Sequence, residues 1–429
     1  MPNRTGRSLA GSLGLKIAYY VWEYYPRLVG GLGTYAIEIT RRFVINGHEV
    51  VVFTLNPGEL ATRDLWKGIM IHRPKIINTS DTLPIIVSED LRSWGVNIGF
   101  FADVLCYNIL SASKFLNELI RKEGEKFDLV AVHDWLSAIA GLSIKSEEKD
   151  LPVVFHVHST EQLRTDGRGS TFITQLERNM AKKANRIVTV SYAMREHLVS
   201  IGYPPDKIAV CWNGCDPEKY DPAKVRSESV EALKSEYGIQ PNERVVLFVG
   251  RLTGIKGVHN LIESFPTVLK EHPKTKLIIL GKGEDQTDLE RLTSRLAVTQ
   301  NIKFRSEWVP EDMRILHYAM ADVCVFPSFN EPFGMVSLEA MSMRKPLVVG
   351  ASGVSGFREQ VIPVGPDQCG VHVDGRNSAD IAWGIKEVLK DLERAEQWGE
   401  NGRQRVLQYF TWNKAAEDTL AIYEEARKC

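Results

Sequence analysis

Neither sign of charge is in excess in this sequence. Among its 429 residues, 53 are Lys or Arg and 54 are Asp or Glu, which leaves a formal net charge of −1. Proteins that wrap nucleic acid usually carry a clear basic excess, so this balance excludes a broad nucleic-acid-binding surface. An anionic partner must then be bound by a few cations that lie close together.

Cysteine is scarce and scattered, with six residues at positions Cys106, Cys211, Cys215, Cys324, Cys369 and Cys429. The nearest two, Cys211 and Cys215, have no second pair that would complete a zinc site. This pattern favours a reduced, cytoplasmic protein without a structural metal.

Long apolar runs are absent as well. No stretch approaches the roughly 18 consecutive apolar residues of a membrane-spanning helix, so we expect no integral span and leave a peripheral membrane contact open. Residues 8–15 are rich in Gly and Ser and lack the apolar core of a signal peptide. We therefore expect residues 1–14 to form a mobile tail.

The apolar residues that are present suffice for more than one core. Hydrophobic residues make up 44% of the chain and charged residues 25%, which is the ordinary balance of a globular protein. At roughly 150 residues a domain, the length predicts two or three domains. A single small binding module is excluded.

Short apolar runs, which we predict to be strands, alternate with amphipathic helical segments. Residues 16–21 and 49–54 have the pattern of buried strands, and residues 34–46 between them carry apolar side chains on one helical face. Further strands are predicted at residues 128–132, 153–157, 186–190, 207–211, 245–249, 277–280, 322–326 and 347–349. This alternation predicts an α/β fold built on doubly wound parallel sheets.

The alternation is interrupted by a polar stretch that runs from Asn213 to Asn242. We expect a boundary near Asn213, with one Rossmann-like domain over residues 15–212 and a second over residues 213–411. Ligands of such folds bind at the carboxyl ends of the strands, which predicts a site in the cleft between the two domains. A final helical segment is expected over residues 412–429.

Glycines follow the first predicted strand in the run Gly-Gly-Leu-Gly at 30–33. At the start of a helix, Gly30, Gly31 and Gly33 would let a ligand approach the backbone and would expose N–H groups to an anion. The spacing differs from a G-x-G-x-x-G dinucleotide fingerprint, and no acidic residue closes the second strand. A plain tight turn is the alternative.

Two cations follow the first predicted strand of the second half. Arg251 and Lys256 lie five residues apart on a loop that also contains Gly250 and Gly257. At the carboxyl end of a strand, these cations could neutralise the two phosphates of a diphosphate without a metal. A solvated basic loop is the alternative.

Two acids lie eight residues apart around the start of a predicted helix. Glu331 precedes the helix, which is expected to begin near Gly334. The first N–H groups of that helix, at Gly334, Met335 and Val336, would present the positive end of its dipole to an anion. Glu339 lies farther along, so the two carboxylates could reach opposite ends of one elongated ligand. Alternatively, Glu331 only complements the dipole and Glu339 lies on a solvated face.

Polar residues also follow two strands of the first half. Asp134 could accept a hydrogen bond from a substrate hydroxyl, or it could cap the helix that comes next. His158 should project in the same direction as His156, but we expect no metal site from these two histidines. Core packing, rather than stacking on sugar rings, is expected for four aromatic residues, Trp94, Phe100, Phe101 and Tyr107.

Together these motifs resemble those of the retaining glycosyltransferases of family 4. Glu331 and Glu339 match the family's E-x7-E motif, Arg251 and Lys256 match its G-R-x(n)-K-G donor-phosphate pair, and the glycines at 30–33 match its N-domain glycine loop. The run Asn-Gly-Cys-Asp at 213–216 is similar to its N-G-x-D linker. The runs His-Asp-Trp at 133–135 and His-Ser-Thr-Glu at 158–161 resemble the glycogen synthase-like archaeal branch.

The resemblance implies a GT-B fold, in which two Rossmann-like domains face a cleft and the C-terminal helix crosses back to the N-terminal domain. It implies that a saccharide acceptor binds mainly on the first domain and a nucleotide sugar mainly on the second. The implied roles are diphosphate binding for Arg251 and Lys256, donor-sugar hydroxyls for Glu331, the ribose for Glu339, and a position beside the reacting sugar for His158.

Enzymes of this family retain the anomeric configuration, usually by a front-face attack in which the leaving phosphate accepts the proton of the acceptor. Negative charge develops on that phosphate, and Arg251, Lys256 and the helix N-terminus would stabilise it. The resemblance therefore implies no protein nucleophile, no metal and no other cofactor.

We expect a glycogen synthase-like enzyme that moves glucose from UDP- or ADP-glucose to an α-glucan. Two departures keep alternatives open, since Leu28 stands where glycogen synthases carry a lysine before the paired glycines, and Phe333 where many bacterial ones carry a cysteine. One alternative is a family 4 transferase that builds a glycolipid, a surface polysaccharide or a small glycoside. The others are a sugar-nucleotide epimerase and a non-catalytic nucleotide-sugar or glycan-binding protein.

Overall fold

A computed structural model describes residues 14–28, 30–79, 82–87, 89–92, 94 and 98–428. The predicted tail over residues 1–14 lies outside the described residues apart from Gly14. Within the described part, strands and helices alternate and the strands form two sheets.

The first sheet has eight strands in the order β3-β4-β2-β1-β5-β6-β7-β8. Its strands are β1 (Lys16–Tyr20), β2 (Glu49–Phe53), β3 (Arg63–Trp66), β4 (Ile69–His72), β5 (Leu129–His133), β6 (Val153–Val157), β7 (Arg186–Thr189) and β8 (Ile208–Val210). Strand β1 pairs in parallel with both β2 and β5, whereas β3 pairs antiparallel with β4 at the edge.

Helices connect these strands. They are α1 (Gly31–Ile45), α2 (Leu83–Ile86), α3 (Glu89–Arg92), α4 (Ile98–Ser113), which continues as a π-helix (Lys114–Lys122), then α5 (Ala138–Glu147), α6 (Glu161–Arg164), α7 (Thr171–Lys183) and α8 (Tyr192–Ser200). Short 3₁₀ turns are Trp135–Ser137 and Pro205–Lys207.

The second sheet has six parallel strands in the order β11-β10-β9-β12-β13-β14. Its strands are β9 (Arg244–Val249), β10 (Thr275–Leu280), β11 (Ile302–Arg305), β12 (Val323–Phe326), β13 (Leu347–Gly350) and β14 (Gly370–Val373). Counted from β9, this is the order 3-2-1-4-5-6 of a doubly wound sheet, whose strand order reverses between β9 and β12.

The remaining helices are α9 (Ser227–Glu236), α10 (Val258–Glu271), α11 (Gln286–Arg295), α12 (Glu311–Met320), α13 (Met335–Ser342), α14 (Phe357–Gln360), α15 (Ser378–Leu389), α16 (Leu392–Tyr409) and α17 (Trp412–Ala426). Short 3₁₀ turns are Pro222–Lys224 and Gly254–Lys256. No helix among the described residues combines the length and the apolar character that a membrane span requires.

The chain divides into two compact units. The first comprises the described residues up to His156, the segment Ser170–Ile187 and the described residues from Thr419 onward. The second comprises Val157–Gly169 and Val188–Asp418. The domain limits expected from the sequence, at 15–212, 213–411 and 412–429, stay a prediction.

The predicted α/β fold of doubly wound sheets is confirmed. Strands such as β5 and β6 are buried along their whole length, as expected for parallel strands covered by helices on both faces. That burial explains why these strands read as unbroken apolar runs in the sequence. Strands β3, β4, β11 and β14 were not predicted. In β3, two of the four residues are charged and the burial is incomplete.

Candidate functional site

The point where the strand order of the second sheet reverses carries two of the predicted motifs. Strand β9 is followed by the loop with Arg251 and Lys256, and its neighbour β12 is followed by the loop with Glu331. Because both strands are parallel, these loops leave the sheet at the same edge. Ligands of doubly wound sheets bind at such a point.

The loop after β9 is shaped by Gly257. This residue has a φ of +70°, and a Cβ built on it would lie 2.3 Å from the carbonyl oxygen of Pro327, which follows β12. A side chain at position 257 would therefore collide with the neighbouring loop. The absence of a side chain lets the two motif-bearing loops pack backbone against backbone.

The two cations of this loop differ in their surroundings. The Nζ atom of Lys256 forms an ion pair with the Glu331 carboxylate, and both side chains are largely shielded from solvent. Arg251 is exposed, and it has no ion-pair partner among the residues that the structure describes. One positive charge is thus already balanced by the protein, whereas the other is open to an anionic ligand.

Glu331 is held by its backbone as well as by its side chain. Its N–H donates to the carbonyl of Val354 at 2.9 Å, and its own carbonyl accepts from the N–H of Gly356 at 2.9 Å. The Ser328 hydroxyl donates to Oε2 of Glu331 at 3.4 Å. Contacts on two sides fix this carboxylate in one orientation.

Helix α13 begins directly after this turn. Gly334 precedes its first residue with a φ of +88°, and a Cβ there would lie 2.2 Å from the ring of Phe357. Among the described residues, no side chain caps the helix. The first N–H groups, at Met335 and Val336, can therefore bind an anion at the positive end of the dipole.

Glu339 does not lie on a solvated face, so that alternative is wrong. Its Oε2 accepts a hydrogen bond from the Tyr318 hydroxyl at 2.8 Å and lies 3.3 Å from Nε of Arg314. Its side chain is 16% exposed. Arg314 and Tyr318 were not predicted from the sequence, because they lie on helix α12 without a recognisable motif.

The Glu339 carboxylate changes the pKa of both of its side-chain partners. Although burial opposes it, the Glu339 carboxylate raises the pKa of Arg314 well above its usual range. Burial, together with the same carboxylate, raises the pKa of the Tyr318 hydroxyl. Arg314 therefore stays charged and Tyr318 stays a hydrogen-bond donor at any physiological pH.

The glycine run of the first unit lies at the start of helix α1. The N–H of Gly30 donates to the Glu23 carboxylate at 2.9 Å, and a Cβ on Gly33 would lie 2.9 Å from an oxygen of that carboxylate. The Glu23 carboxylate thus already occupies the helix N-terminus at which we predicted an anion-binding site. A phosphate bound there would have to displace Glu23.

Asp134 lies between β5 and the following 3₁₀ turn. It is buried, and its φ of +53° lies in the left-handed region that non-glycine residues rarely adopt. Its position is that of an N-cap, but its side chain accepts no capping hydrogen bond. Backbone strain of this kind concentrates at functional sites.

The two histidines of the 153–161 region have different environments. Both ring nitrogens of His156 lie within hydrogen-bonding distance of tyrosine hydroxyls, Nε2 at 2.8 Å from Tyr423 and Nδ1 at 3.4 Å from Tyr35. Binding a metal through His156 would break one of these contacts. His158 is half-buried, and burial together with the Arg164 charge lowers its pKa to about 3.

The four predicted core aromatics differ in burial, and Trp94 is half-buried. Phe101 and Tyr107 are buried, which confirms core packing for both. Phe100 is 44% exposed, and its ring packs edge-on against Trp22 and Trp135. Trp135 directly follows Asp134, so an aromatic surface adjoins the strained residue.

Two family models match the chain. The model described as "Glycosyltransferase Family 4" matches residues 29–219, and the model described as "Glycosyl transferases group 1" matches residues 229–405. The first covers the predicted glycine loop and Asp134. The second covers both cations and both acids of the second sheet.

Similar proteins can be aligned with nearly the whole chain. An uncharacterized glycosyltransferase of Methanocaldococcus jannaschii is 32% identical over 420 residues, which cover 96% of this chain and 98% of the relative. A glycogen synthase of Mycobacterium tuberculosis is 28% identical over 426 residues, which cover 96% and 95% respectively.

A solved structure shows the same fold. The catalytic domain of starch synthase IV from Arabidopsis thaliana, bound to ADP and acarbose, superposes with a TM-score of 0.72 at 15% identity. The superposition covers 97% of this chain and all of that one. At this level of identity, the likeness concerns the arrangement of strands and helices alone.

Proposed function

This chain belongs to the family 4 glycosyltransferases, which have the GT-B fold, and we propose that it is a retaining enzyme that transfers glucose from UDP- or ADP-glucose to an α-glucan. One observation carries the proposal. Lys256 pairs with Glu331 at the point where the strand order of the second sheet reverses, Arg251 lies on the same loop as Lys256, and the uncapped start of helix α13 follows Glu331.

The diphosphate of the donor is the ligand that suits this point. Arg251 offers a charge that no described residue neutralises, and its planar guanidinium can donate two parallel hydrogen bonds to a phosphate. Lys256 adds a second cation that Glu331 holds in place. The start of helix α13 adds N–H donors and a partial positive charge.

The two acids of the E-x7-E motif then contact the two sugars of the donor. Glu331 is proposed to accept hydrogen bonds from hydroxyls of the transferred sugar, because its carboxylate adjoins the phosphate-binding lysine. Glu339 is proposed to accept hydrogen bonds from the ribose. Glu331 and Glu339 are eight positions apart along a turn and a helix, and this separation lets the two carboxylates contact different parts of an elongated nucleotide sugar.

Transfer breaks the bond between the anomeric carbon and the phosphate oxygen and forms a bond from that carbon to an acceptor oxygen on the same face. The proton of the acceptor hydroxyl goes to the departing phosphate, so no protein nucleophile takes part. Arg251, Lys256 and the helix N-terminus stabilise the charge that grows on the phosphate.

Asp134 and His158 are proposed to act on the sugars rather than on the phosphates. Asp134 is a hydrogen-bond acceptor for an acceptor hydroxyl, held by a strained backbone that a cap role does not require. His158 is neutral at physiological pH because its pKa is about 3. A neutral imidazole can donate one hydrogen bond to the reacting sugar without adding charge.

The reaction is proposed to need no metal and no other cofactor. Divalent cations assist other transferases by neutralising the leaving diphosphate. Here Arg251 and Lys256 can supply that charge from the protein. The glycine run at 30–33 is proposed to contact the donor through its backbone, after Glu23 has moved.

A glucan acceptor is favoured by the likeness to a glycogen synthase along nearly the whole chain. A second candidate is a family 4 transferase with a lipid, polysaccharide or small-glycoside acceptor. It is supported by Leu28, which stands where glycogen synthases carry a lysine before the paired glycines.

A ligand screen followed by product analysis tests the proposal. Purified protein is heated with UDP-, ADP- and GDP-sugars, and the stabilising nucleotide sugar is then incubated with glycogen. We expect UDP- or ADP-glucose to raise the melting temperature and label to appear in the glycogen. Stabilisation with transfer only to a non-glucan acceptor would favour the second candidate, and stabilisation without any transfer would indicate a binding protein.

A further inference from the structure

The Glu339 carboxylate lies in a cluster of polar side chains that none of the predicted motifs contains. We call this set the Arg314 cluster, and it consists of Tyr220, Glu311, Arg314, Tyr318 and Glu339. Arg314 lies at its centre, since Nη2 donates to the Tyr220 hydroxyl at 2.5 Å and lies 3.4 Å from Oε1 of Glu311. All five residues belong to the second unit.

Both oxygens of Glu339 have partners in this cluster. Nη2 of Arg314 lies 3.4 Å from Oε1, and Nε of Arg314 lies 3.3 Å from Oε2. Tyr318 donates to Oε2 at 2.8 Å. Each carboxylate oxygen has two lone pairs, so the carboxylate keeps acceptor capacity while its rotation is restrained.

Arg314 is itself held in place. Its guanidinium lies 6.0 Å from the centre of the buried Tyr220 ring, whose hydroxyl donates to Glu311 at 3.1 Å. Tyr220 follows the run Asn-Gly-Cys-Asp at 213–216 in the chain. The cluster thus joins this segment to helices α12 and α13 through one arginine.

We propose that Arg314 is a positioning residue for donor recognition, which orients the Glu339 carboxylate toward the ribose hydroxyls of the nucleotide. The inference rests on the proposed function, because that proposal assigns the ribose contact to Glu339. Arg314 does not touch the donor; it acts through Glu339, and Tyr220 acts through Arg314. The ligand class is a nucleoside diphosphate that carries free 2′ and 3′ hydroxyls.

An ordinary structural ion pair would contribute to stability without affecting which nucleotide binds. The discriminating quantity is therefore the ratio of two dissociation constants, that of the 2′,3′-dideoxy nucleotide over that of the natural one. Hydrogen bonds to a charged group contribute about 1.5–3 kcal/mol, so the wild-type ratio should be about 10–150. A variant that merely loosens the fold leaves the ratio unchanged.

The experiment measures this ratio with the full-length protein by calorimetry, using ADP and UDP with their 2′,3′-dideoxy forms. In Arg314→Gln, the ratio should fall to below about 3, because Glu339 no longer has a fixed orientation. Tyr220→Phe should lower it partly. Should Arg314→Gln fail to fold, an unchanged ratio in Tyr220→Phe overturns the inference.

Two controls complete the test. Arg244 pairs with Asp322 at the amino end of β9, and Arg244→Gln should leave the ratio at the wild-type value. Glu339→Gln should lower the ratio as Arg314→Gln does. If Glu339→Gln leaves the ratio unchanged, the ribose assignment in the proposed function fails. If Glu339→Gln lowers it and Arg314→Gln does not, only the inference about Arg314 fails.

Discussion

Lys256 and Glu331, which lie 75 residues apart in the chain, form an ion pair between loops that follow neighbouring strands. The register of these strands pairs Val246 with Val323 and Leu247 with Cys324, so their carboxyl ends lie at the same edge of the sheet. The pair therefore depends on the doubly wound topology. It brings the proposed phosphate-binding loop and the E-x7-E motif into direct contact.

Truncation of either cation should slow glucosyl transfer. Arg251→Ala and Lys256→Ala should each reduce the transfer rate by about two to three orders of magnitude, because each removes charge stabilisation at the leaving phosphate. Steady-state kinetics with the preferred nucleotide sugar measures this. A near-normal rate in either variant contradicts the phosphate assignment.

Urea unfolding of the same variants supplies an independent check. Arg251→Ala should change the free energy of unfolding by less than about 0.5 kcal/mol, since Arg251 is exposed. Lys256→Ala should lower it by about 1–3 kcal/mol, because Glu331 loses its partner. Adding Glu331→Gln to Lys256→Ala should recover stability but not activity.

Chelation should not affect the enzyme. Arg251 and Lys256 are proposed to neutralise the diphosphate, so activity after dialysis against EDTA should equal that of the untreated protein. The matched control is an assay with added Mg²⁺ or Mn²⁺, which should produce no gain. Activity lost to EDTA and restored by either ion would show that the two cations are insufficient.

His158 should stay neutral across the physiological range. Burial and Arg164 lower its pKa to about 3, so an NMR titration should show no protonation of its imidazole between pH 8 and 5. A midpoint near 6.5 would contradict this environment.

The pKa of His158 is lower in the folded chain than in the unfolded chain, so this residue should make the free energy of unfolding depend on pH in the acid range. Between about pH 6.5 and 3, the unfolded chain binds a proton at this position and the folded chain does not, so stability falls as the pH falls. The slope amounts to at most about 1.4 kcal/mol per pH unit for one group. His158→Gln should reduce the slope of unfolding free energy against pH in this range.

Gly334 should tolerate no side chain. Gly334→Ala combines a φ of +88° with a Cβ 2.2 Å from the buried Phe357 ring. Gly365→Ala is the matched control, because its φ is +91° but a Cβ there meets no atom within 4 Å. The control should cost about 1–2 kcal/mol for the backbone alone. Gly334→Ala should cost about 1–3 kcal/mol more, and equal costs would contradict the predicted clash.

The sequence allowed most of the sheet strands to be predicted, because buried parallel strands read as unbroken apolar runs. The edge hairpin of β3 and β4 was missed, since two of the four residues of β3 are charged. Its turn is formed by Lys67 and Gly68, both with positive φ, and Lys-Gly is not among the strong hairpin dipeptides.

Site residues could be predicted where a motif or a strand end marked them, as for Arg251 and Glu331. Arg314 and Tyr318 escaped prediction, because they lie on another helix, 25 and 21 residues before Glu339. These partners depend on tertiary packing, which local spacing does not encode. Glu23 escaped for a different reason, because the turn that brings it back to Gly30, seven residues later, carries no recognisable motif.

Glucosyl transfer with retention can be read from the NMR spectrum of the product. The protein is incubated with nucleotide glucose labelled with ¹³C at the anomeric carbon and with a maltooligosaccharide, and the anomeric coupling of the newly bonded sugar is measured. We expect an α-linked glucosyl residue, formed in the presence of EDTA and lost in Arg251→Ala. A β-linked product, or label released only as free glucose, would rule out retaining transfer to a glucan.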